Sequence, residues 1–299
     1  MPYIDIESSC KAKYLDIDFI AKNIDRLNIG LMALSSDISK EEFGDGELSD
    51  DLQQRLLASY PDRFIPVGNG ARPPALTEAS NKFLDAQEAA VAGKEIMLLG
   101  EYEIRHYPSP RELKRGKTNR DVRIPIDGPI GHRLFSISEK TGISFQIHYE
   151  IEDELLAPLE NMLGQYPEAK VIWCHLAQVR YIERASRYTP AYVETLIKRY
   201  RNLHFDTAFG DFNSVYPLSN QHHARVWAAD GSLKPEWRDL IAAYPKRFLS
   251  ALDLGGDRVE RIAEYDQKHR NFLSRLPVDT RHRVAYRSAW SLLFDEEFA

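Results

Sequence analysis

Few features of a secreted, membrane-bound or disulfide-stabilised protein occur in this sequence. Only two cysteines, Cys10 and Cys174, are present in 299 residues, which is too few for a disulfide framework. No apolar run reaches the roughly 18 residues that a transmembrane helix needs, and no signal peptide is recognisable. We therefore expect a cytoplasmic protein with no membrane partner; a leader trimmed from the start of the chain is the alternative.

The sequence also lacks a concentration of positive charge. Its 39 Lys and Arg residues are outnumbered by 45 Asp and Glu residues, and the net charge is −6. The basic residues are scattered, apart from a short stretch at 111–123. Because nucleic-acid binding needs a basic surface that follows the phosphate backbone, we expect no nucleic-acid partner.

No glycine-rich phosphate loop follows the first predicted strand. The glycine pair at Gly68 and Gly70 precedes two prolines, Pro73 and Pro74, and not the start of a helix. A dinucleotide fingerprint needs a strand before its glycines and a helix directly after them. The sequence therefore disfavours a dinucleotide-binding open sheet.

Short apolar runs alternate with longer segments of helical periodicity along the whole chain. The runs are nearly continuous in Val, Ile, Leu and Phe, which is typical of parallel strands buried on both faces. Several follow a Tyr-Pro pair, as at Tyr166-Pro167, where proline ends the preceding helix. Eight strands are predicted in this way, over residues 3–8, 29–35, 63–68, 96–104, 143–149, 170–177, 203–209 and 248–254.

The segments between these strands predict helices, most clearly over 17–27, 76–92, 155–166, 191–200 and 280–294. Eight strand–helix units in a chain of this length predict an α/β fold, a single (β/α)8 TIM barrel, as one domain over residues 1–299. An open doubly wound sheet is the structural alternative. The polar, proline-containing segment 105–131 predicts a long active-site loop after strand four, so we expect a distorted barrel.

Side chains that bind metals lie near the ends of four predicted strands. Glu101 belongs to strand four, His148 to strand five, His175 to strand six and Asp253 to strand eight. Catalytic groups of parallel barrels collect at the carboxyl ends of the strands, so we expect these four to meet on one rim. Imidazole and carboxylate are the natural ligands of a divalent transition metal.

This order of residues resembles the amidohydrolase superfamily, and within it the amidohydrolase-related branch of TIM-barrel hydrolases. The resemblance spans nearly the whole chain. It is clearest in the segments ISFQIHYE, EAKVIWCHLA, NLHFDTAF, KRFLSALDLGGD and LPVDTRHRVAYRSAWSLLF.

The resemblance implies a role for each of these side chains. His148 and His175 match the metal-binding histidines of strands five and six. Asp253 matches the strand-eight aspartate, which binds metal or transfers a proton, and Glu101 matches a strand-four ligand that can bridge a second metal. The implied cofactor is a divalent metal, zinc first and manganese or iron as alternatives. The implied activity is hydrolysis of an amide, ester or lactone in a small molecule by metal-activated water. Decarboxylation or hydration is the alternative.

Strand one departs from the family. Its usual His-x-His is replaced by Glu7 and Ser9. Glu7 remains a candidate ligand, whereas Ser9 is a poor substitute for imidazole. The hypotheses are thus one metal held by Glu7, His148, His175 and Asp253, or a barrel that has lost its metal and its catalysis and acts as a binding protein.

Other polar residues near the strand ends are further candidates for substrate or metal binding. Arg105, His106 and Tyr149 are predicted to bind substrate, with a solvated loop as the alternative for the first two, and Glu150 is expected to face solvent. Asp206 is expected either to support a metal ligand or to be a satisfied buried carboxylate. The pair His222–His223 is interpreted as surface, and exposed aromatics near Trp227 and Trp237 leave a homodimer open.

Overall fold

The protein folds as an α/β barrel of the TIM type in a computed structural model, which describes residues 1–12, 15–38, 51–76, 80–116, 118, 120–213, 215, 225–256 and 258–298. The strands are β1 (Ile4–Cys10), β2 (Leu31–Ile38), β3 (Gly70–Ala71), β4 (Leu98–His106), β5 (Val122–Arg123), β6 (Ser144–Tyr149), β7 (Lys170–Trp173), β8 (Leu203–Asp206) and β9 (Phe248–Leu249). They pair in the order β1-β2-β3-β4-β6-β7-β8-β9 with all neighbours parallel, and β5 adds to β4 antiparallel. The predicted barrel is confirmed.

Helices follow the strands along the chain. They are α1 (Ile17–Leu27), α2 (Leu52–Ser59), α3 (Ser80–Ala92), α4 (Pro110–Lys114), α5 (Pro129–Thr141), α6 (Asp153–Gln165), α7 (Pro190–Arg199), α8 (Pro235–Ala243), α9 (Ile262–Ser274), α10 (Val278–His282) and α11 (Ser288–Phe294). The helix predicted over 17–27 has these same bounds. It begins there because the Asp16 side chain accepts a hydrogen bond from the Phe19 amide, and it ends at Asn28 in the left-handed conformation.

The last strand closes the barrel onto the first. The Ile6 amide donates to the Ser250 carbonyl at 3.0 Å, and the Asp253 amide donates to the Glu7 carbonyl at 3.1 Å. The Asp5 carboxylate reinforces this seam, because it accepts hydrogen bonds from the Leu252 amide at 2.9 Å and from the Ser8 hydroxyl at 2.6 Å. Asp5 is fully buried, and this burial raises its pKa to about 7.

The third strand is less regular than predicted. Residues 63–68 form only isolated bridges, Met32 with Phe64 and Val67 with Leu98, and regular pairing begins at Gly70. Pro66 has no amide hydrogen to donate. The next amide, that of Val67, donates to the Gln53 side chain of α2. In this segment the Gln53 side chain therefore accepts a hydrogen bond that a neighbouring strand would accept in a regular sheet.

Three further strands end earlier than predicted, and each is followed by irregular backbone. β7 stops at Trp173, β8 at Asp206 and β9 at Leu249. Apolar sequence continues beyond each of these points, so hydrophobicity alone overestimates strand length. The predicted closing helix 280–294 is instead α10, a π-helical turn at Arg283–Arg287 and α11.

The closing helix α11 fills the barrel from below. Ala289, Leu292 and Leu293 pack in one hydrophobic cluster with Ile4 and Leu249, from the beginnings of β1 and β9. The opposite end, where the strands finish, is thus left for polar side chains. Among the described residues, no helix combines the length and the apolar character that a bilayer crossing requires.

The two tryptophans expected to be exposed are buried. Trp227 is 3% exposed and Trp237 is 2% exposed. Trp227 packs against Phe209 and Phe272, and Trp237 against Tyr188. Both belong to the core, so neither supports a homodimer, which stays a prediction.

Replacing Asp5 should weaken the barrel seam. Asp5→Ala leaves the Leu252 amide and the Ser8 hydroxyl without an acceptor in a buried place, so we expect the free energy of unfolding to fall by about 1–3 kcal/mol. Urea denaturation at pH 7 measures this change. Asp62→Ala, at an exposed turn position, is the control, and equal stability of the two variants would contradict the role of Asp5.

Candidate functional site

Three ligand-type side chains from neighbouring strands meet in the barrel mouth. Glu101 lies in β4, His148 in β6, and His175 directly after β7. Glu101 Oε1 lies 3.0 Å from His148 Nδ1 and 2.9 Å from His175 Nε2. The two imidazole centroids are 4.9 Å apart, and both rings are buried. The structure therefore brings together three of the residues predicted to bind metal.

The charges in this cluster depend on one another. Burial disfavours the imidazolium form of His148, but Glu101 and Glu150 raise its pKa to about 10. The pKa of His175 is also raised, because Glu101 and Asp206 outweigh burial. Burial opposes ionisation of Glu101 as well, yet the two histidines hold its pKa well below the usual range. Without a metal, the cluster is thus one carboxylate between two rings whose cationic forms it favours.

Glu150 does not face solvent, contrary to expectation. It is 1% exposed in the side chain, and its Oε1 lies 3.1 Å from His148 Nε2. Arg180 Nε lies 2.8 Å and 2.9 Å from the two Glu150 oxygens. Burial would raise the pKa of Glu150, but Arg180 and His148 lower it to about 2. The far nitrogen of His148 thus has an ionised acceptor.

His106 adds a second ring beside His148. Their centroids are 4.8 Å apart. His106 Nδ1 lies 2.8 Å from the Arg120 carbonyl, and Nε2 lies 3.2 Å from Arg120 Nη2. Burial and the neighbouring His148 lower the pKa of His106 well below its usual value. His106, His148 and Glu150 form a second group whose ligand-type atoms lie within 4.8 Å of one another.

A third group of this kind consists of Glu7, His175 and Asp206, all buried. Among the described residues, Glu7 Oε2, His175 Nδ1 and Asp206 Oδ2 have no nitrogen or oxygen hydrogen-bond partner. The Cys174 thiol, a weak donor, interacts with the Asp206 carboxylate. Burial raises the pKa of Glu7, and nearby carboxylates raise it further. Buried polar atoms are normally paired, so the orphaned atoms fit a site for a cation.

Asp253 lies at the edge of this cluster. Its carboxylate pairs with Arg258, with Nη2 2.9 Å from Oδ1, and its side chain is 30% exposed. It belongs to none of the three groups of ligand-type atoms found among the described residues. Ser9, the other strand-one position, is half-buried in β1. The Glu101 side chain is 19% exposed. Asp253 is thus more accessible to solvent or substrate than Glu101 is.

The residues predicted to hold substrate are buried, which contradicts the solvated-loop alternative for Arg105 and His106. Arg105 donates to the carboxylates of Glu152 at 3.0 Å and Asp121 at 2.8 Å. The Tyr149 hydroxyl donates to the Leu155 carbonyl at 3.0 Å. The pair His222–His223 lies outside the described residues.

Sequence reasoning missed the residues that support the histidines. Glu150 could have been found, because His148 and Glu150 are two positions apart in extended chain and so point to the same side. Arg180 and Arg120 come from loops, whose sequences have no periodicity from which a contact could be predicted. Asp206 is buried and accepts hydrogen bonds from the His175 amide at 2.8 Å and the Ala208 amide at 3.0 Å, and these contacts do not decide between the two roles expected for it.

Sequence comparison finds no matching family model and no significant match to a curated protein. Solved structures do match. An uncharacterized TIM-barrel protein from Bordetella bronchiseptica has a TM-score of 0.60 at 14% identity, covering 98% of this chain and 99% of that one. 2,6-Dihydroxybenzoate decarboxylase from Rhizobium has a TM-score of 0.59 at 13% identity, covering 99% and 100%. An amidohydrolase from Burkholderia multivorans, solved with bound zinc, has a TM-score of 0.51 at 10% identity, covering 98% and 99%.

These structures define the class of fold to which the chain belongs. They align over nearly its full length, and they comprise a TIM-barrel protein, a decarboxylase and an amidohydrolase. The fold implied by the sequence resemblance is therefore confirmed.

Glu101→Gln should destabilise the metal-free protein in a pH-dependent way. The His148 pKa of about 10 exceeds the unfolded value of about 6.5, so its stabilising contribution is complete below pH 6.5 and lost as the pH rises through 10. Removing the anion should lower stability by roughly 3–5 kcal/mol at pH 6, and by less at pH 10. Urea denaturation of chelator-treated protein measures this. Glu95→Gln, at an exposed position, is the control, and a pH-independent loss would contradict the account.

Proposed function

We propose that this protein is a metal-dependent hydrolase of the amidohydrolase-related branch, acting on a small molecule with an amide, ester or lactone bond. The observation that carries the proposal is the position of Glu101 Oε1, within 3.0 Å of a nitrogen on each of two buried histidines. Such a convergence of imidazole and carboxylate suits zinc, manganese or iron. The orphaned oxygens of Glu7 and Asp206 offer further ligand atoms beside His175.

Glu101, His148 and His175 would hold the metal. A bound divalent cation lowers the pKa of water, so that hydroxide is available near neutral pH. Glu150 accepts a hydrogen bond from His148 Nε2, so that Nδ1, once deprotonated, would be free to bind the metal. A carboxylate behind a ligand histidine fixes its tautomer and orientation. The Arg180 contact holds Glu150 in the acceptor role.

Asp253 is the proposed proton-transfer group. It lies near enough to His175 and Glu7 to affect their pKa values, and it is partly exposed to the mouth. Arg258 fixes its carboxylate. From this place Asp253 can accept a proton from the attacking water and return it to the leaving group.

Decarboxylation is the second candidate. The observation that favours it is a set of partly exposed guanidinium groups around the site, which could pair with a substrate carboxylate. Arg180, Arg120 and Arg258 have side-chain exposures of 16%, 23% and 34%. Release of carbon dioxide from aromatic acids, measured beside hydrolysis of a panel of esters, lactones and amides, separates the two reactions.

Zinc binding should require both histidines and release protons. At pH 7.5 the metal-free imidazole of His148, whose pKa is raised to about 10, is protonated, so zinc binding should release at least one proton per site. Isothermal titration calorimetry in buffers of different ionisation enthalpy gives this number. His148→Ala and His175→Ala should abolish tight binding. His132→Ala, whose ring instead contacts the Tyr166 hydroxyl, should not.

A wild-type protein that takes up no zinc, manganese or iron would contradict this mechanism. Such a result would favour the non-enzymatic alternative, a barrel that binds small molecules without catalysis. Zinc uptake unaffected by His148→Ala and His175→Ala would place the metal elsewhere and also refute the proposed site.

Asp253→Asn should lower kcat for the best substrate of the panel by roughly 10²–10⁴-fold, because it removes the proton acceptor. Metal content should stay near that of wild type, since Asp253 belongs to none of the described ligand groups. Steady-state kinetics with metal analysis tests both expectations. Asp230→Asn, in an exposed turn with Ser232, is the control. Unchanged kcat in Asp253→Asn would exclude this role.

A further inference from the structure

The backbone that carries His175 has an unusual conformation. Four consecutive residues, His175 to Gln178, have φ values of 57°, 48°, 65° and 32°. None is glycine, and L-residues disfavour this left-handed region because Cβ approaches the following carbonyl oxygen. Such strain persists only when the surrounding structure holds it. The direction of the His175 imidazole therefore depends on contacts that maintain this turn.

Buried charged side chains bind the backbone of His175 on both sides. Asp206 Oδ1 accepts from the His175 amide at 2.8 Å. Arg225 Nη2 donates to the His175 carbonyl at 2.9 Å, and its Nη1 donates to the Leu176 carbonyl. Arg225 is only 7% exposed. A buried guanidinium is costly without acceptors, so these two carbonyls and the cation stabilise one another.

Arg225 reaches the turn from a distant part of the chain. It belongs to the connection between β8 and α8, and it lies 50 residues from His175 in sequence. Its guanidinium acts on the backbone, whereas the His175 ring contacts Glu101 through Nε2 at 2.9 Å. A return of His175 to the common right-handed region would change the direction of Cβ and move Nε2 away from Glu101.

We propose that Arg225 is a positioning residue for the metal ligand His175, acting by holding the left-handed turn after β7. Its effect on metal affinity rests on the proposed function, but its effect on the turn does not. The planar fork of arginine binds two carbonyls at once. Lysine can donate from one point only, so it should replace arginine in part.

Zinc affinity should fall as the hydrogen bonds from residue 225 to the two carbonyls are lost. By competition with a chromophoric chelator, Arg225→Met should bind zinc about 10–100-fold more weakly than wild type, as is common when a supporting partner of a ligand is lost. The zinc affinity of Arg225→Lys should lie between those of wild type and Arg225→Met. The lysine variant keeps the test decisive if the methionine variant fails to fold.

Arg281→Met is the matched control. Arg281 likewise donates to backbone carbonyls, those of Leu273, Ser274 and Leu276, but among the helices α9 and α10. We expect this variant to lose thermal stability and to keep wild-type zinc affinity. A loss of affinity equal to that of Arg225→Met would reduce Arg225 to a general stabilising residue and overturn the proposal.

Crystal structures of metal-free wild type and of Arg225→Met or Arg225→Lys separate this proposal from the proposed function. The proposal expects the turn to leave the left-handed region in Arg225→Met, and His175 Nε2 to leave Glu101. An unchanged turn would overturn it. If wild type bound no zinc, the proposed function would fail, and the conformation of residues 175–178 alone would decide the role of Arg225.

Discussion

The barrel mouth depends on one carboxylate oxygen, Glu101 Oε1, lying between two buried histidines. A buried anion is costly, and so is each buried imidazolium. At 2.9–3.0 Å from both rings, Glu101 removes most of this cost. If both rings lost their protons, the positive charge of a bound divalent cation would compensate the Glu101 carboxylate instead. The same three side chains can therefore balance their charges without a metal, and under the proposed function they would also bind one.

Further buried charged residues surround the two histidines. Glu150 and Arg180 lie behind His148, and Asp206 and Arg225 lie around the backbone of His175. Glu150, Arg180 and Arg225 each have a partner of opposite polarity, as a low-dielectric site requires, whereas Asp206 keeps one oxygen without a nitrogen or oxygen partner. The fold makes this arrangement possible because α11 fills the lower end of the barrel with apolar side chains. Charged residues can then concentrate where the strands finish.

The barrel could be predicted from the sequence because it rests on periodicity. Near-continuous apolar runs, helical periodicity and proline-terminated helices are local signals, and periodicity alone predicted the bounds of α1 that the structure shows. The convergence of Glu101, His148 and His175 was also predictable, because parallel strands in a barrel present their ends to one rim.

The rest was not predictable, because it depends on contacts between distant segments. Exposed aromatics were expected near Trp227, yet Trp227 itself packs between Phe209 and Phe272. β7 ends early and a left-handed turn follows, whose carbonyls accept hydrogen bonds from Arg225, 50 residues away. Pro66 interrupts the third strand, but only the structure shows that Gln53 satisfies the Val67 amide. In each case tertiary contacts override a local pattern.

Anomalous diffraction at the zinc edge, from crystals grown with zinc, tests the central claim most directly. The account predicts a strong peak on the barrel axis, about 2.0–2.2 Å from His148 Nδ1 and His175 Nε2 and from an oxygen of Glu101. A map with no peak at these three side chains, in crystals with zinc bound elsewhere or not at all, would contradict it.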